Sequence, residues 1–302
     1  MIQPLQPALP DVQRQALAHA LRETYMEIFP SPSIEERLDI LAPGSYVAIT
    51  CSPRKGVDAT LDLSGRLIGR GFRVVPHIAA KMVRDQAHLR EIIRRLTDLG
   101  VESIFVPGGD APQPLGPYST ALELLRDIAG SDHRLQHIGV AAHPEGHPSV
   151  DAETLMLTLA AKQAHATYLV TQMCFDAEAL TAWLGLIRSR GITMPAWIGL
   201  PGVFDRGALL AASLRIGVGA SLRFLRDRGR IVRTLLGPKI YRPDALLYEL
   251  APALAKPELG IAGFHLFSFN RVEQSENWRR QFVMDCATDQ TGEASCDQRS
   301  IS

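Results

Sequence analysis

The chain has 302 residues, enough for one large α/β domain, and a β/α barrel needs roughly 250. Lys+Arg and Asp+Glu balance at 32 each, so the formal net charge is zero and no basic run offers a footprint for nucleic acid or an anionic membrane. No apolar run approaches a membrane span, the proline-broken first twenty residues lack the apolar core of a signal peptide, and Cys51, Cys174, Cys286 and Cys296 form no CxxC pair, so a cytoplasmic protein without a disulfide framework or structural zinc is expected.

Residues 1–22 read as a polar leader and a helix over 12–21. A first strand follows at 24–29 and carries Glu27. Ser33 stands as N-cap of the next helix, with Glu36 at the capping-box spacing. Strand two, 46–50, ends on Thr50 and leads to a helix over 57–70. Strand three, 73–77, ends on His77, and a helix over 83–99 follows. Strand four, within 103–110, runs into Gly108-Gly109-Asp110 and then a helix over 118–129. Strand five, 137–143, ends on His143, and a helix spans 151–164. Strand six, 168–172, ends on Gln172, with a helix over 176–190. Strand seven is 195–199. The stretch from there to strand eight is too long for one crossover helix. It reads as short helices at 208–216, 221–227, 230–236 and 243–254, an elaboration of the barrel because no strand pattern interrupts them. Strand eight, 263–270, ends on Asn270. From Ala287 the chain is polar and aperiodic, as in a disordered tail.

Strands alternating with helices predict parallel strands and right-handed crossovers. Eight such units predict an eight-fold β/α (TIM) barrel, a single domain over 23–286 flanked by the 1–22 leader and the 287–302 tail. Seven of the eight strands deliver a polar residue at or just past the carboxyl end, the edge at which barrel active sites lie.

Each of these residues has two readings. A carboxylate in the apolar run around Glu27 has a raised pKa unless paired, which suits a general acid; otherwise it pairs with a barrel cation. Gly108 and Gly109 admit close backbone approach of a planar or phosphorylated ligand, with Asp110 facing it, or form a tight turn that Asp110 caps. His143 and His147 bind a phosphate or a metal, or only shape the loop. His77 is catalytic or a structural hydrogen-bonding group. Gln172 offers a donor and an acceptor to a heterocycle, or satisfies backbone. Lys162 meets a phosphate or is solvated. GxGxxG, the P-loop, GxSxG and HExxH are all absent, so a dinucleotide would not be held by a Rossmann or P-loop device.

Taken together, Tyr25-Met-Glu27-Ile-Phe-Pro30, Pro76-His77-Ile-Ala, Gly109-Asp110, VAAHPEGHP at 140–148, VTQMCFD at 170–176 and FHLFSFNR at 264–271 resemble the methylenetetrahydrofolate reductase family. The resemblance spans about residues 23–275 in the family's order. It implies a β/α barrel that binds FAD and uses NADH or NADPH to reduce 5,10-methylene-tetrahydrofolate to 5-methyl-tetrahydrofolate, with the nicotinamide reducing the flavin first. It implies that Glu27 is the general acid and that Asp110 lies beside flavin and pterin and favours the cationic iminium. It gives Gln172 to the pterin, Arg271 to the folate side and Phe204 to substrate stacking. Thr50, His77, Gly108, Gly109, Tyr118, His143, His147 and Lys162 fall at flavin-contacting positions. Three residues depart from the family pattern: Gly108 stands where an arginine is usual, His143 where a tyrosine is common, and Ser31 where a second proline is common. A folate substrate, a nicotinamide co-substrate and a homo-oligomer are expected, with no resident metal. Two competing readings are a metal-dependent barrel hydrolase using His77, Asp110, His143 and His147, and a flavin-holding protein without catalysis.

Overall fold

The computed structural model describes residues 9–205, 207–209 and 240–288. Helix α1 (Asp11–Arg22) precedes the first strand. Eight strands then form one parallel sheet: β1 (Tyr25–Ile28), β2 (Tyr46–Ile49), β3 (Arg73–Pro76), β4 (Ser103–Val106), β5 (His137–Ala142), β6 (Tyr168–Thr171), β7 (Ala196–Pro201) and, last in sequence, β10 (Ile261–Phe267). Their order is β3-β2-β1-β10-β7-β6-β5-β4. A parallel bridge between His77 and Phe105 joins β3 to β4 and closes the ring. Hydrogen bonds from Ile78 N to Phe105 O (2.8 Å), Ala80 N to Pro107 O (3.0 Å) and Lys81 N to Gly108 O (3.0 Å) continue that seam past the strand ends. The molecule is a TIM barrel, as the alternation of strands and helices predicts.

Between the strands run α2 (Ile34–Arg37), α3 (Gly56–Gly69), α4 (Gln86–Asp98), α5 (Ala121–Ala129), α6 (Ala152–Lys162) and α7 (Ala177–Ser189). Four of these start on a side chain that accepts a backbone N–H orphaned at the helix end. Asp85 accepts from His88 N (2.7 Å), Asp151 from Thr154 N (2.9 Å) and Asp176 from Ala179 N (3.0 Å). Thr120 and Glu123 form a reciprocal capping box. Ser33, expected to cap α2, makes no such bond: its φ −102° and ψ 14° are not the extended geometry that aims a cap at the first turn.

Between β7 and β10 the described residues add further elements. A two-residue antiparallel ladder joins β8 (Phe204–Asp205) to β9 (Ile240–Tyr241), which corrects the expectation that no strand interrupts this stretch. Helix α8 (Asp244–Leu254) follows as expected. The helices expected at 221–227 and 230–236, and most of that at 208–216, lie outside the described residues. Helix α9 (Val272–Thr288) runs one residue past Ala287, where the tail was expected to begin; 289–302 are also outside the described residues. No described helix is long and apolar enough to cross a membrane.

The core has two layers. Outward-facing strand residues such as Met26, Ile28, Val47, Ile104 and Leu169 pack under the helices. Inward-facing Ala48, Val75, Phe105, Tyr168 and Val170, with Tyr25 and Trp197, fill the barrel itself. The aromatic filling needs small partners. A Cβ at Gly139 would sit 2.2 Å from Cζ of Tyr168, whose hydroxyl donates to Ile104 O at 3.1 Å. Glycine at 139 is therefore the cost of placing a tyrosine at 168. At the amino-terminal end, the Arg188 guanidinium donates to the carbonyls of Ile192 (2.7 Å), Met194 (2.8 Å) and Leu259 (3.0 Å), binding the entries of β7 and β10 together.

Candidate active site

The polar residues read from the strand ends do gather at one end of the barrel, as a parallel ring requires. Glu27 lies near the carboxyl end of β1 and faces inward. Its Oε2 is 2.9 Å from Nε2 of His265 on β10. The strands are in register with Tyr25 opposite His265 and Glu27 opposite Phe267, so the pair meets diagonally across the ladder. Of the two readings of Glu27, the structure gives a paired carboxylate, but its partner is a histidine. Only 4% of the His265 side chain and 15% of the Glu27 side chain are exposed, so the pair is screened from bulk water but reachable from the barrel mouth. His265 was not singled out in the sequence.

The corner after β10 holds this end of β1 in place. Ser268 Oγ donates to Glu27 O. The Asn270 side chain accepts from Phe29 N (2.9 Å) and donates to Phe29 O (2.9 Å) and Ser31 Oγ (3.0 Å). The geometry requires left-handed backbone at Phe269 (φ 46°) and Asn270 (φ 63°). Asparagine tolerates that region, whereas phenylalanine is strained there by about 1 kcal/mol or more.

His77 directly follows β3 beneath the same mouth, 5% exposed, with its ring against Phe105 (centroids 4.7 Å apart) and His265 (6.0 Å). Burial, and secondarily the neighbouring His265, holds its pKa well below the usual histidine value, so the ring is neutral. Its Nε2 has no hydrogen-bond partner among the described residues. Thr50, past β2, is held by bonds from its N to Ile28 O (2.9 Å) and from Thr60 Oγ1 to its own carbonyl (3.0 Å). Past β4, Gly109 has φ +94°, and a Cβ there would approach Ala79 Cβ to 3.1 Å. Asp110 is exposed and does not cap the following helix; Thr120 does. Tyr118 is 3% exposed and its hydroxyl donates to Asp127 at 2.7 Å. Burial and that carboxylate push its pKa up to about 12, so the hydroxyl is committed within the protein.

A second cluster lies past β5. The rings of His143 and His147 meet edge to face, centroids 5.1 Å apart. Lys162 ends α6 close enough to be felt by His143, and has no anionic partner among the described residues. Desolvation lowers the Lys162 pKa. Burial, then His147 and Lys162, lowers that of His143 to about 4. Glu145 Oε1 accepts from Phe175 N at 3.2 Å, tying this loop to the one after β6. In that second loop Gln172 Oε1 accepts from Met173 N (2.8 Å), leaving its Nε2 to donate elsewhere.

Arg271 places its guanidinium carbon 5.8 Å from the centre of the Phe204 ring. Phe204 is only 2% exposed and also packs edge to face on Phe269. The ladder with β9 and the cluster of Met173, Leu209 and Tyr241 bury it, so its faces are not presented to the mouth. His77, Asp110, His143 and His147 do not come together. Among the described residues, the group with ligand atoms close enough to share a metal is Glu27, His77 and His265.

The buried His77 and the half-buried His143 give a pH dependence with a definite sign. His143 and His77 are neutral in the folded chain, whereas unfolded histidines protonate near 6.5. Below that value the unfolded state binds more protons, so stability falls as the pH drops from about 6.5 towards 4. Melting temperature followed across that window should decline, and His143→Gln should flatten the slope. An equal slope in wild type and variant would contradict the burial of His143.

A family model for methylenetetrahydrofolate reductase matches residues 36–205, more than half of the chain. The matched range takes in the ends of β2 to β7 but neither Glu27 nor Arg271. A Caenorhabditis elegans protein named "Probable methylenetetrahydrofolate reductase (NADPH)" is 26% identical over 199 residues, covering 59% of this chain and 29% of that protein. The chain thus matches under a third of that relative's length. A solved structure from Burkholderia cenocepacia J2315, "a putative lyase/mutase", is 16% identical and covers 97% of this chain and 94% of its own, with a TM-score of 0.47, too low to bear on this chain. The match to the family model, falling on a barrel whose strand ends carry the motifs read from the sequence, shows that this chain belongs to the methylenetetrahydrofolate reductase family.

Proposed function

We propose that this protein reduces 5,10-methylene-tetrahydrofolate to 5-methyl-tetrahydrofolate, with FAD as its bound cofactor and NADH or NADPH as co-substrate. The observation that carries the reading is Glu27, held by His265 at the mouth of a barrel of this family. The residues fit the cofactor. Lys162 is a desolvated cation with no anionic partner among the described residues, beside the ring of the neutral His143, and suits the phosphates of a dinucleotide. Gly108, Gly109 and Thr50 supply small or polar groups at adjacent strand ends. When bound, FAD supplies a carrier that takes hydride from nicotinamide and gives it to the one-carbon unit.

The chain's own residues supply the rest. Glu27 holds a proton for the folate nitrogen released when the five-membered ring opens. His265 fixes its Oε2, while Oε1 is without a hydrogen bond among the described residues. Asp110 favours the cationic iminium, weakly because it is exposed. The Gln172 amide donates to the pterin, and Arg271 meets the acidic tail of the folate. The relative's name favours NADPH as the donor, and steady-state oxidation of NADH against NADPH with menadione decides it.

The test is spectroscopic. The purified protein should be yellow, and its flavin should bleach with NAD(P)H under anaerobic conditions and recover on adding methylene-tetrahydrofolate. A colourless protein, or a reduced flavin that folate does not reoxidise, overturns the reading. Lys162→Met should lose flavin on dialysis while keeping its fold; full retention would remove Lys162 from the phosphate site.

A further inference from the structure

Glu27, His77 and His265 have a geometry that hydride transfer does not use. One carboxylate oxygen and one ring nitrogen from each histidine all lie within 4.8 Å of one another. The three residues come from β1, from just past β3 and from β10, and converge across the barrel interior. The histidines are buried, and the carboxylate is the partly exposed member of the cluster. His77 Nε2 is unpartnered in a side chain more than nine-tenths buried. We propose that this trio binds a divalent transition-metal ion of the zinc class, and that the bound ion takes Glu27 out of acid duty.

The donor set fits that class. Two imidazoles and one carboxylate hold zinc in open tetrahedral sites, with the fourth position left to water or substrate. Imidazole nitrogen favours zinc, cobalt or nickel over the hard cations magnesium and calcium. Metal–ligand distances near 2.1 Å place the ligand atoms of a tetrahedral ion about 3.4 Å apart, so side-chain shifts of about an ångström close the trio. The ion would replace the hydrogen bond between Glu27 Oε2 and His265 Nε2. A carboxylate bound to a cation has no proton to give. Binding does not depend on the reductase reading; the loss of acid function does.

The test is a Co²⁺ titration of the full-length, flavin-loaded protein, read by the visible d–d bands of tetrahedral cobalt at longer wavelength than the flavin. One Co²⁺ per chain is expected, displaced by Zn²⁺ and not by excess Mg²⁺. His77→Ala and His265→Ala, or His77→Asn and His265→Asn where the alanine variants fail to fold, should each weaken binding at least tenfold. His143→Ala should leave it unchanged. Absence of the bands in the wild type, or equal binding by all variants, overturns the site. With Zn²⁺ saturating, flavin reduction by NAD(P)H should continue while reoxidation by folate stops. Normal reoxidation would overturn the inhibitory half of the proposal and leave the binding half standing. Cobalt binding by a protein that never takes up flavin would support the metal site and refute the reductase reading.

Discussion

Glu27→Gln should slow the folate half-reaction by about 10²–10⁴-fold, the range for losing a positioned general acid, while the variant still binds flavin and accepts hydride from NAD(P)H. The substitution is nearly isosteric. An amide can still hydrogen-bond His265 Nε2 across the 2.9 Å now spanned by the carboxylate, so the barrel mouth keeps its shape. What the amide lacks is a proton to deliver. Stopped-flow measurement of the two half-reactions separates the effects: the reductive step should be near the wild-type rate and the oxidative step crippled. Equal slowing of both would point to a distorted site, and unimpaired folate turnover would remove Glu27 from the chemistry.

Arg188→Met should destabilise the fold by about 3 kcal/mol or more, since it strands several buried carbonyls that now accept from a charged group, at roughly 1–3 kcal/mol each. Methionine keeps the apolar stem and removes only the guanidinium. The carbonyls of Ile192, Met194 and Leu259 lie where β7 and β10 begin, opposite the site. Gly260 belongs to the same arrangement: its φ is +62°, and a Cβ there would lie 2.7 Å from Arg188 Nη2. Arg188→Lys should recover only part of the loss, because one ammonium cannot serve carbonyls spread around a planar fork. Denaturant midpoints measure the effect, and turnover per folded molecule should be unchanged. A midpoint within experimental error of wild type would show that water replaces the guanidinium.

The eight strands were legible because each is a short β-branched run stopped by glycine, proline or a polar residue. Their helices were legible from apolar periodicity, although the caps that start three of them, Asp85, Asp151 and Asp176, were not singled out. The β8–β9 ladder was not, since two residues per strand carry no periodicity. Reading polar residues at strand ends found Glu27 and His77. The same rule passed over His265, which sits inside an apolar run and acquires its meaning only from the register of β10 against β1. Phe204 is a different case. The family resemblance makes it a candidate for substrate stacking, and the structure packs it against Arg271 and Phe269 beside the ladder with β9.

The ring is closed between β3 and β4 by a single bridge at the strand ends, and hydrogen bonds carry the seam on past their carboxyl ends. The other neighbours share ladders of two to six residue pairs. This joint is therefore where the cylinder is most easily unzipped, and local opening would begin there. Its fastenings, His77 and Gly108 among them, belong to the strand ends that face ligand. A molecule seated across the mouth would thus act as a clasp on the barrel, slowing amide exchange in β3 and β4 above all and giving the loaded protein a mechanical integrity that the empty one lacks.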